Sequence, residues 1–137
     1  MNPRNLIPVH TKKSTTEVVA DLRDAAQRLR TRGFAKFVRH AQSYDTDNKP
    51  RTYAEKVGSV CLLGAFEACS GWPCAENSAP QALNVLARFL VDHENCRSEY
   101  ASSVLAEWNN ADERTKADVL QVLDTVAGKV ETGILAV

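Results

Sequence analysis

The chain has 137 residues, of which 44% are hydrophobic and 25% are charged, and its 17 basic and 17 acidic side chains cancel. This length suits one domain with one core, and the composition is that of an ordinary soluble globular protein. Balanced charge excludes the surplus of lysine and arginine on which nonspecific binding to nucleic acid or anionic membranes depends. We therefore expect neither nucleic acid nor a membrane as a partner.

The N-terminal residues 1–13 are polar, contain Pro3 and Pro8, and lack the apolar core and cleavage site of a secretory signal. No apolar run approaches the ~20 residues that a membrane-spanning helix needs. We expect a flexible N-terminal arm over residues 1–13 and a single helical domain over residues 14–137. The protein is then cytoplasmic, and its four cysteines are reduced.

The first helix has clear start and stop signals. Ser14 and Glu17 have the spacing of a capping box, and Gly33 follows as a natural C-terminal stop. Between them, apolar residues recur at helical spacing: Val18, Leu22, Ala25 and Leu29. These signals predict a helix over residues 15–32.

The next stretch is irregular and then strongly apolar. A helical period begins at Phe34 but stops before the turn cluster at residues 45–50. The sequence is compatible with an irregular insert or small hairpin near 34–55, or with a helix that continues to Ser43. Residues 57–69 have little polar surface and predict a central, buried helix.

Three further helices are predicted. A second capping box at Ser78–Gln81 precedes a helix over 79–93, and a short helix covers 98–108. A third box at Thr115–Asp118 precedes a helix over 116–130, and an apolar tail of four residues could pack against it. The fold class is therefore all-α, a single compact domain of about five helices. The predicted core includes Leu63, Leu86, Val119 and Leu123.

Catalytic and metal signatures are weak. The four cysteines, Cys61, Cys69, Cys74 and Cys96, lack the closely spaced pairs of common zinc sites. His93 and Cys96 form the one short pair with ligand-like spacing, so a zinc-stabilised domain is a minor alternative. No histidine is tied to a thiol in the way that nucleophilic catalysis requires. We expect no metal, no cofactor and no catalytic residue.

Candidate binding residues lie in two loops. Tryptophan and arginine dominate binding hot spots, and arginine holds carboxylates bidentately. These residue types, with two asparagines, give the predicted binding set: Trp72, Trp108, Asn109, Asn110 and Arg114. Trp72 is the preferred exposed anchor, because its Ser-Gly-Trp-Pro loop has no periodic face that could bury it.

The loop from Trp108 to Thr115 also has a structural interpretation. Trp108 would fill the core, Asn110 or Asp112 would tie the turn, and Arg114 would satisfy buried carbonyls, since polar turn residues often serve backbone hydrogen bonds. The sequence favours this structural interpretation over ligand binding.

Two short motifs lie in the middle and in the C-terminal part of the chain. The first is Cys61–Ala65, with the sequence Cys-Leu-Leu-Gly-Ala, and the second begins with Trp108–Ala111. The second motif continues through Arg114–Thr115, Val119–Leu120 and Leu123–Asp124. In order and spacing, the two motifs resemble an uncharacterised family of small proteins from actinobacteria and their phages. That family usually has Trp-Asn-Asp where this chain has Asn110 in third place. The resemblance covers roughly residues 33–127 and implies a small helical domain, with no activity to carry over.

These observations predict a non-enzymatic protein-interaction or regulatory protein that acts on a protein partner. If the chain is encoded by a phage, we expect that partner to be a host protein. The alternative is a small ligand-binding domain or enzyme that uses the Trp108–Arg114 loop. The oligomeric state is left open.

Overall fold

The computed structural model describes residues 5–34, 62–66, 79–94, 96 and 98–137. These residues are mostly helical. Four helices and one short helical turn are present: α1 (Thr15–Arg32), α2 (Leu62–Ala65), α3 (Pro80–Glu94), α4 (Ala101–Asn110) and α5 (Lys116–Glu131). Within the described ranges, the only strand-like contact is an isolated parallel bridge between Asn5 and Tyr100.

The all-α class is confirmed, and the predicted bounds of α1, α3 and α5 agree with the structure to within one residue. The count of about five helices stays a prediction, because α2 covers only one turn of the central helix predicted over 57–69. The insert predicted near 34–55 lies outside the described residues beyond Phe34. No helix in the described part of the chain is both long enough and apolar enough to cross a membrane.

Helix α1 begins and ends as its sequence predicts. The Ser14 hydroxyl accepts from the Glu17 amide at 3.2 Å, and the Glu17 carboxylate accepts from the Ser14 amide at 3.0 Å. At the other end, Gly33 has a φ of 92°, which a residue with a side chain rarely adopts. Its amide donates to the Leu29 carbonyl at 2.9 Å and closes the helix.

Helix α5 packs antiparallel to α1. Arg23 pairs with Glu131 at 3.2 Å and Arg30 with Asp124 at 3.3 Å, so opposite ends of the two helices lie together. Both ion pairs are exposed and contribute little to stability. The apolar faces between the helices supply most of the stabilisation, and Val18, Leu22, Val119 and Leu123 are fully buried there.

Helix α3 is the most deeply buried helix among the described residues, with nine of its fifteen residues inside. Leu86, Val119 and Leu123 are completely buried, which confirms three of the four predicted core positions. The side chain of Leu63 lies outside the described residues. In the C-terminal tail, Leu135 packs partly against the core while Ile134 remains 68% exposed.

The N-terminal arm lies against α3 through buried side-chain amides. Asn84 accepts from the Ile7 amide and donates to the Ile7 carbonyl, both at 2.8 Å. Gln81 accepts from the Lys13 amide at 2.5 Å and donates to the Lys13 carbonyl at 3.3 Å. Gln81 therefore has a role that the predicted capping box with Ser78 does not include, and Ser78 itself lies outside the described residues.

Asn5, the first described residue of the arm, pairs with the start of α4. The Asn5 amide donates to the Glu99 carbonyl at 2.8 Å, and the Ala101 amide donates to the Asn5 carbonyl at 2.9 Å. Ile7 is partly buried against the core. The described arm thus makes contacts within its own chain, and the flexibility and the domain boundary at residues 13 and 14 stay predictions.

Candidate functional site

Trp108 lies near the end of α4 and fills the core, as the structural interpretation predicts. Its side chain is only 2% exposed, and it belongs to the main hydrophobic cluster. The indole Nε1 is buried without a hydrogen-bond partner among the described residues. A buried donor without an acceptor carries a desolvation cost, so the indole N–H itself adds nothing that holds Trp108 in place.

Arg114 is positioned by Trp108. Its Nε–H donates to the Trp108 carbonyl at 2.8 Å, and its guanidinium carbon lies 4.0 Å from the centroid of the Trp108 ring. This geometry combines a charge-assisted hydrogen bond with a cation–π contact. The four Nη–H donors have no hydrogen-bond acceptor among the residues that the structure describes.

Asn109 faces a different part of the molecule. It is 2% exposed, and its side-chain oxygen accepts from the Leu62 amide at 2.9 Å, which satisfies a backbone donor at the start of α2. Its side-chain nitrogen donates to the oxygen of Asn110 at 3.0 Å, and Asn110 is half-buried. These two asparagines of the predicted binding set therefore join helices α2 and α4.

A surface pocket of about 220 Å³ opens beside Arg114, between α3, α4 and α5. It combines aromatic and aliphatic walls with charged and amide groups. The lining residues are Phe89, Glu94, Trp108, Arg114, Asp118, Gln121, Val122 and Thr125. A pocket with an apolar wall and a few convergent polar groups is the usual form of a recognition site.

Asp118 and Arg114, two charged residues of the pocket, differ in the partners that stabilise their charges. Hydrogen bonds from the Thr115 backbone and hydroxyl lower the pKa of Asp118, and the charge of Arg114 lowers it slightly further. The Asp118 carboxylate accepts from the Thr115 amide at 3.0 Å, completing the predicted third capping box. Asp118 is thus ionised and engaged with its own helix N-terminus, while no described residue forms an ion pair with Arg114.

Cys96 lies close to this region, but its surroundings disfavour the reactive thiolate form. Burial raises the pKa of its thiol, the charges of Glu107 and Glu94 raise it further, and Arg114 opposes them. The thiolate is the reactive form of cysteine, so this environment disfavours nucleophilic chemistry. The thiol contacts the Glu94 carbonyl at 4.0 Å.

The structure gives no support to the minor zinc alternative within the part it describes. No group of three or more histidine, cysteine or acidic side chains there could hold a metal ion. His93 is exposed, and its ring lies 4.4 Å from that of Phe89. Cys61, Cys69 and Cys74, which such a site would also need, lie outside the described residues.

The structure thus brings Trp108 and Arg114 together and places Asn109 and Asn110 elsewhere. Trp72 lies outside the described residues, and its role as an exposed anchor stays a prediction. The pocket residues on α5 were missed by sequence reasoning although their spacing of i, i+3, i+4 and i+7 marks one helix face. They are Asp118, Gln121, Val122 and Thr125.

Comparison with protein-family models assigns the chain to a family. Residues 13–129 match the model of a family of unknown function, DUF6197, and the chain belongs to this family. The match leaves most of the N-terminal arm outside. Among curated proteins and among solved structures, no significant match was found.

Proposed function

We propose that this member of the DUF6197 family is a non-enzymatic protein-interaction or regulatory protein whose Arg114 pocket accepts a carboxylate from a protein partner. One observation carries the proposal. The Arg114 guanidinium is held in place by Trp108, yet its Nη–H donors have no acceptor among the described residues.

A guanidinium held in this way is well suited to recognition. The Nε hydrogen bond and the ring contact together restrain a side chain that otherwise loses considerable rotamer entropy on binding. The terminal edge of an arginine has two parallel N–H groups that match the two oxygens of a carboxylate. A partner carboxylate can therefore be bound with little ordering of Arg114.

The other charged groups of the pocket restrict what can bind. Glu94 and Asp118 also line it, so the local charge opposes large polyanions such as nucleic acid. A single carboxylate, placed against Arg114 and carried on an apolar stem, can use the wall formed by Phe89 and Val122. This selectivity favours an acidic side chain or a chain terminus of a protein.

Pocket size favours a protein partner over the second candidate, a free small ligand. Pockets for drug-sized ligands typically have volumes of roughly 300–1,000 Å³. The Arg114 pocket has a volume of about 220 Å³ and is open to the surface. A pocket of this size accommodates one side chain or a very small acid, and the wider contact area of a protein would supply the remaining affinity.

Chemical-shift titration tests the carboxylate directly. We would titrate the full chain with N-acetylglutamate N′-methylamide, which has a single side-chain carboxylate, and, in parallel, with the neutral N-acetylglutamine N′-methylamide. The Nε–H signal of Arg114 and the indole signal of Trp108 should shift with the acid and not with the amide. Arg114→Gln should abolish the response, while the matched change Arg23→Gln, at an exposed surface ion pair, should retain it. Equal responses to the acid and the amide, or none, would refute carboxylate recognition.

Affinity capture from an actinobacterial lysate then distinguishes the two candidates, a protein partner and a free small ligand. A protein that is retained by the unsubstituted chain and by Arg23→Gln, but lost with Arg114→Gln, supports the interaction function. If only a small acid co-purifies and is lost with the same variant, the ligand-binding alternative replaces it.

Three finer points belong to the same proposal. The two sequence motifs suggest an actinobacterial or actinophage source, and the buried free thiol of Cys96 supports a reducing, cytoplasmic location. Trp72 remains a second proposed contact. Trp72→Ala should preserve helicity while weakening partner capture by at least ~2 kcal/mol, the hot-spot threshold.

A further inference from the structure

The first described residues of the arm are held through their backbone. Asn5 exchanges two hydrogen bonds with Glu99 and Ala101, and Ile7 exchanges two with the side-chain amide of Asn84. Asn84 is 4% exposed, so its side-chain amide needs a hydrogen-bond partner at this position. These backbone contacts would be the same if residues 5–7 came from another copy of the chain.

Exposed apolar side chains lie along this part of the arm and at its bridge partner. Five large hydrophobic residues are exposed in the described part of the chain, and three of them lie on the arm or at its bridge partner. They are Leu6 at 44%, Val9 at 37% and Tyr100 at 56%. Leu6 follows the bridge residue Asn5 and so lies near Tyr100, and neighbouring exposed apolar residues mark an interaction surface more often than scattered single ones do.

The connection between the arm and α1 has few restraints. Residues 8–12 are all exposed, and none makes a hydrogen bond to another described residue. The chain is held in place again at Lys13. Its backbone forms a hydrogen bond with Gln81, and its ammonium group pairs with Asp21 at 2.7 Å. Five residues can span roughly 17 Å when extended, enough to redirect the arm to a neighbouring molecule.

We propose that two copies of this chain exchange residues 5–7 of their arms and form a symmetric dimer. Residues 5–7 of each copy would bind to Asn84, Glu99 and Ala101 of the other copy, with residues 8–12 as the hinge. The exchange replaces each described hydrogen bond of residues 5–7 by an identical one between chains, so it loses none of them. The dimer gains burial of Leu6, Val9 and Tyr100 along the two-fold axis.

Pairwise thiol crosslinking of the full chain tests the exchange. One protein would carry N5C and a second would carry Y100C, so a link between these two sites must join different chains. Asn5 and Tyr100 are bridge partners, and cysteines in adjacent strands lie within disulfide reach. N5C mixed with E113C is the matched control, because Glu113 is exposed beyond the opposite end of α4. A single chain with both N5C and Y100C verifies that the bridge geometry allows the link.

Arm exchange predicts two results together. Light scattering after size exclusion should show the mass of the unsubstituted chain rising to twice the monomer mass with concentration. Peptide mapping should find the link between sites 5 and 100 in the N5C and Y100C mixture, and none above background in the E113C mixture. A monomer at every concentration would overturn the proposal. So would a dimer without the interchain link, because it would then form through another surface.

Discussion

The Nε–H of Arg114 donates to the backbone carbonyl of Trp108, while the Arg114 guanidinium covers the ring of that same residue. One side chain thus holds both the backbone and the indole at the end of α4. Carbonyls in the last turn of a helix have no partner within the helix, and Arg114 satisfies one of them. The short loop from α4 to α5 is therefore fixed to the end of α4, and the pocket beside it has a rigid wall.

Replacing Arg114 by lysine should destabilise the fold. Lysine keeps the charge but loses the Nε hydrogen bond and the planar contact with Trp108, which together contribute about 1–2 kcal/mol. Urea unfolding measures the loss. The matched change Arg23→Lys alters an exposed ion pair and should stay within about 0.5 kcal/mol of the unsubstituted chain. Equal effects at the two positions would contradict the role given to Arg114.

Trp108→Ala should be far more damaging. The side chain is 2% exposed, and truncating a buried aromatic residue typically costs about 3–5 kcal/mol because a cavity remains. Thermal unfolding monitored by circular dichroism provides the measurement. Tyr100→Ala, at the exposed start of the same helix, serves as the control and should have a small effect on the melting temperature. A silent Trp108→Ala would show that Trp108 acts at the surface.

Local sequence signals predicted the helices well for a physical reason. The capping pairs Ser14 with Glu17 and Thr115 with Asp118 are three residues apart, so the hydrogen bonds they make are visible in the sequence itself. The buried faces of α1 and α5 follow helical periodicity in the same way. Trp108 and Arg114 were paired as site candidates because they share one short loop.

The remaining contacts could not be predicted from local patterns. Asn84 binds Ile7 across 77 residues, Gln81 binds Lys13 across 68, and Asn109 binds Leu62 across 47. An asparagine on a helix has no local sign of a distant backbone partner, because that partner is set by tertiary packing. For the same reason, the position of α3 opposite Arg114, which completes the pocket, follows only from the fold.

Asn84→Ala should loosen the arm and lower stability. The substitution leaves the Ile7 amide and carbonyl without their partners, at a cost of about 1–3 kcal/mol. Hydrogen exchange at the Ile7 amide should accelerate by more than the change in global stability explains. Gln27→Ala, on the exposed face of α1, is the control and should leave exchange at Ile7 unchanged. If the Ile7 amide exchanges as slowly in Asn84→Ala as in the unsubstituted chain, Asn84 does not hold Ile7 in place.

Asn109→Ala should destabilise the junction between α2 and α4. The Leu62 amide is buried and loses its acceptor, which costs about 1–3 kcal/mol. Chemical denaturation gives the total loss, and amide exchange at Leu62 locates it. The matched truncation Ser103→Ala, at an exposed position of the same helix, should change neither quantity. If Asn109→Ala instead preserves stability and abolishes partner capture, Asn109 is a binding residue.

The two confirmed capping boxes make stability depend on pH. Hydrogen bonds from Ser14 lower the pKa of Glu17 below 4.5, and those from Thr115 lower the pKa of Asp118 below 3.8. Because each folded-state pKa lies below the unfolded value, the unfolded chain binds more protons in acid. The stabilisation is complete above the unfolded values and is lost as the pH falls through the folded ones.

The pair of substitutions Glu17→Gln and Asp118→Asn isolates this effect. Both amides keep an oxygen that can accept the capping hydrogen bond but no longer titrate, so the double variant should fold much as before at neutral pH. Its melting temperature should fall less steeply than that of the unsubstituted chain as the pH drops below about 4.5. Asp24→Asn with Glu113→Gln removes two exposed carboxylates that lie outside both boxes and is the matched control. If the control flattens the acid limb as strongly as the capping variant, general charge repulsion, and not the two boxes, governs acid stability.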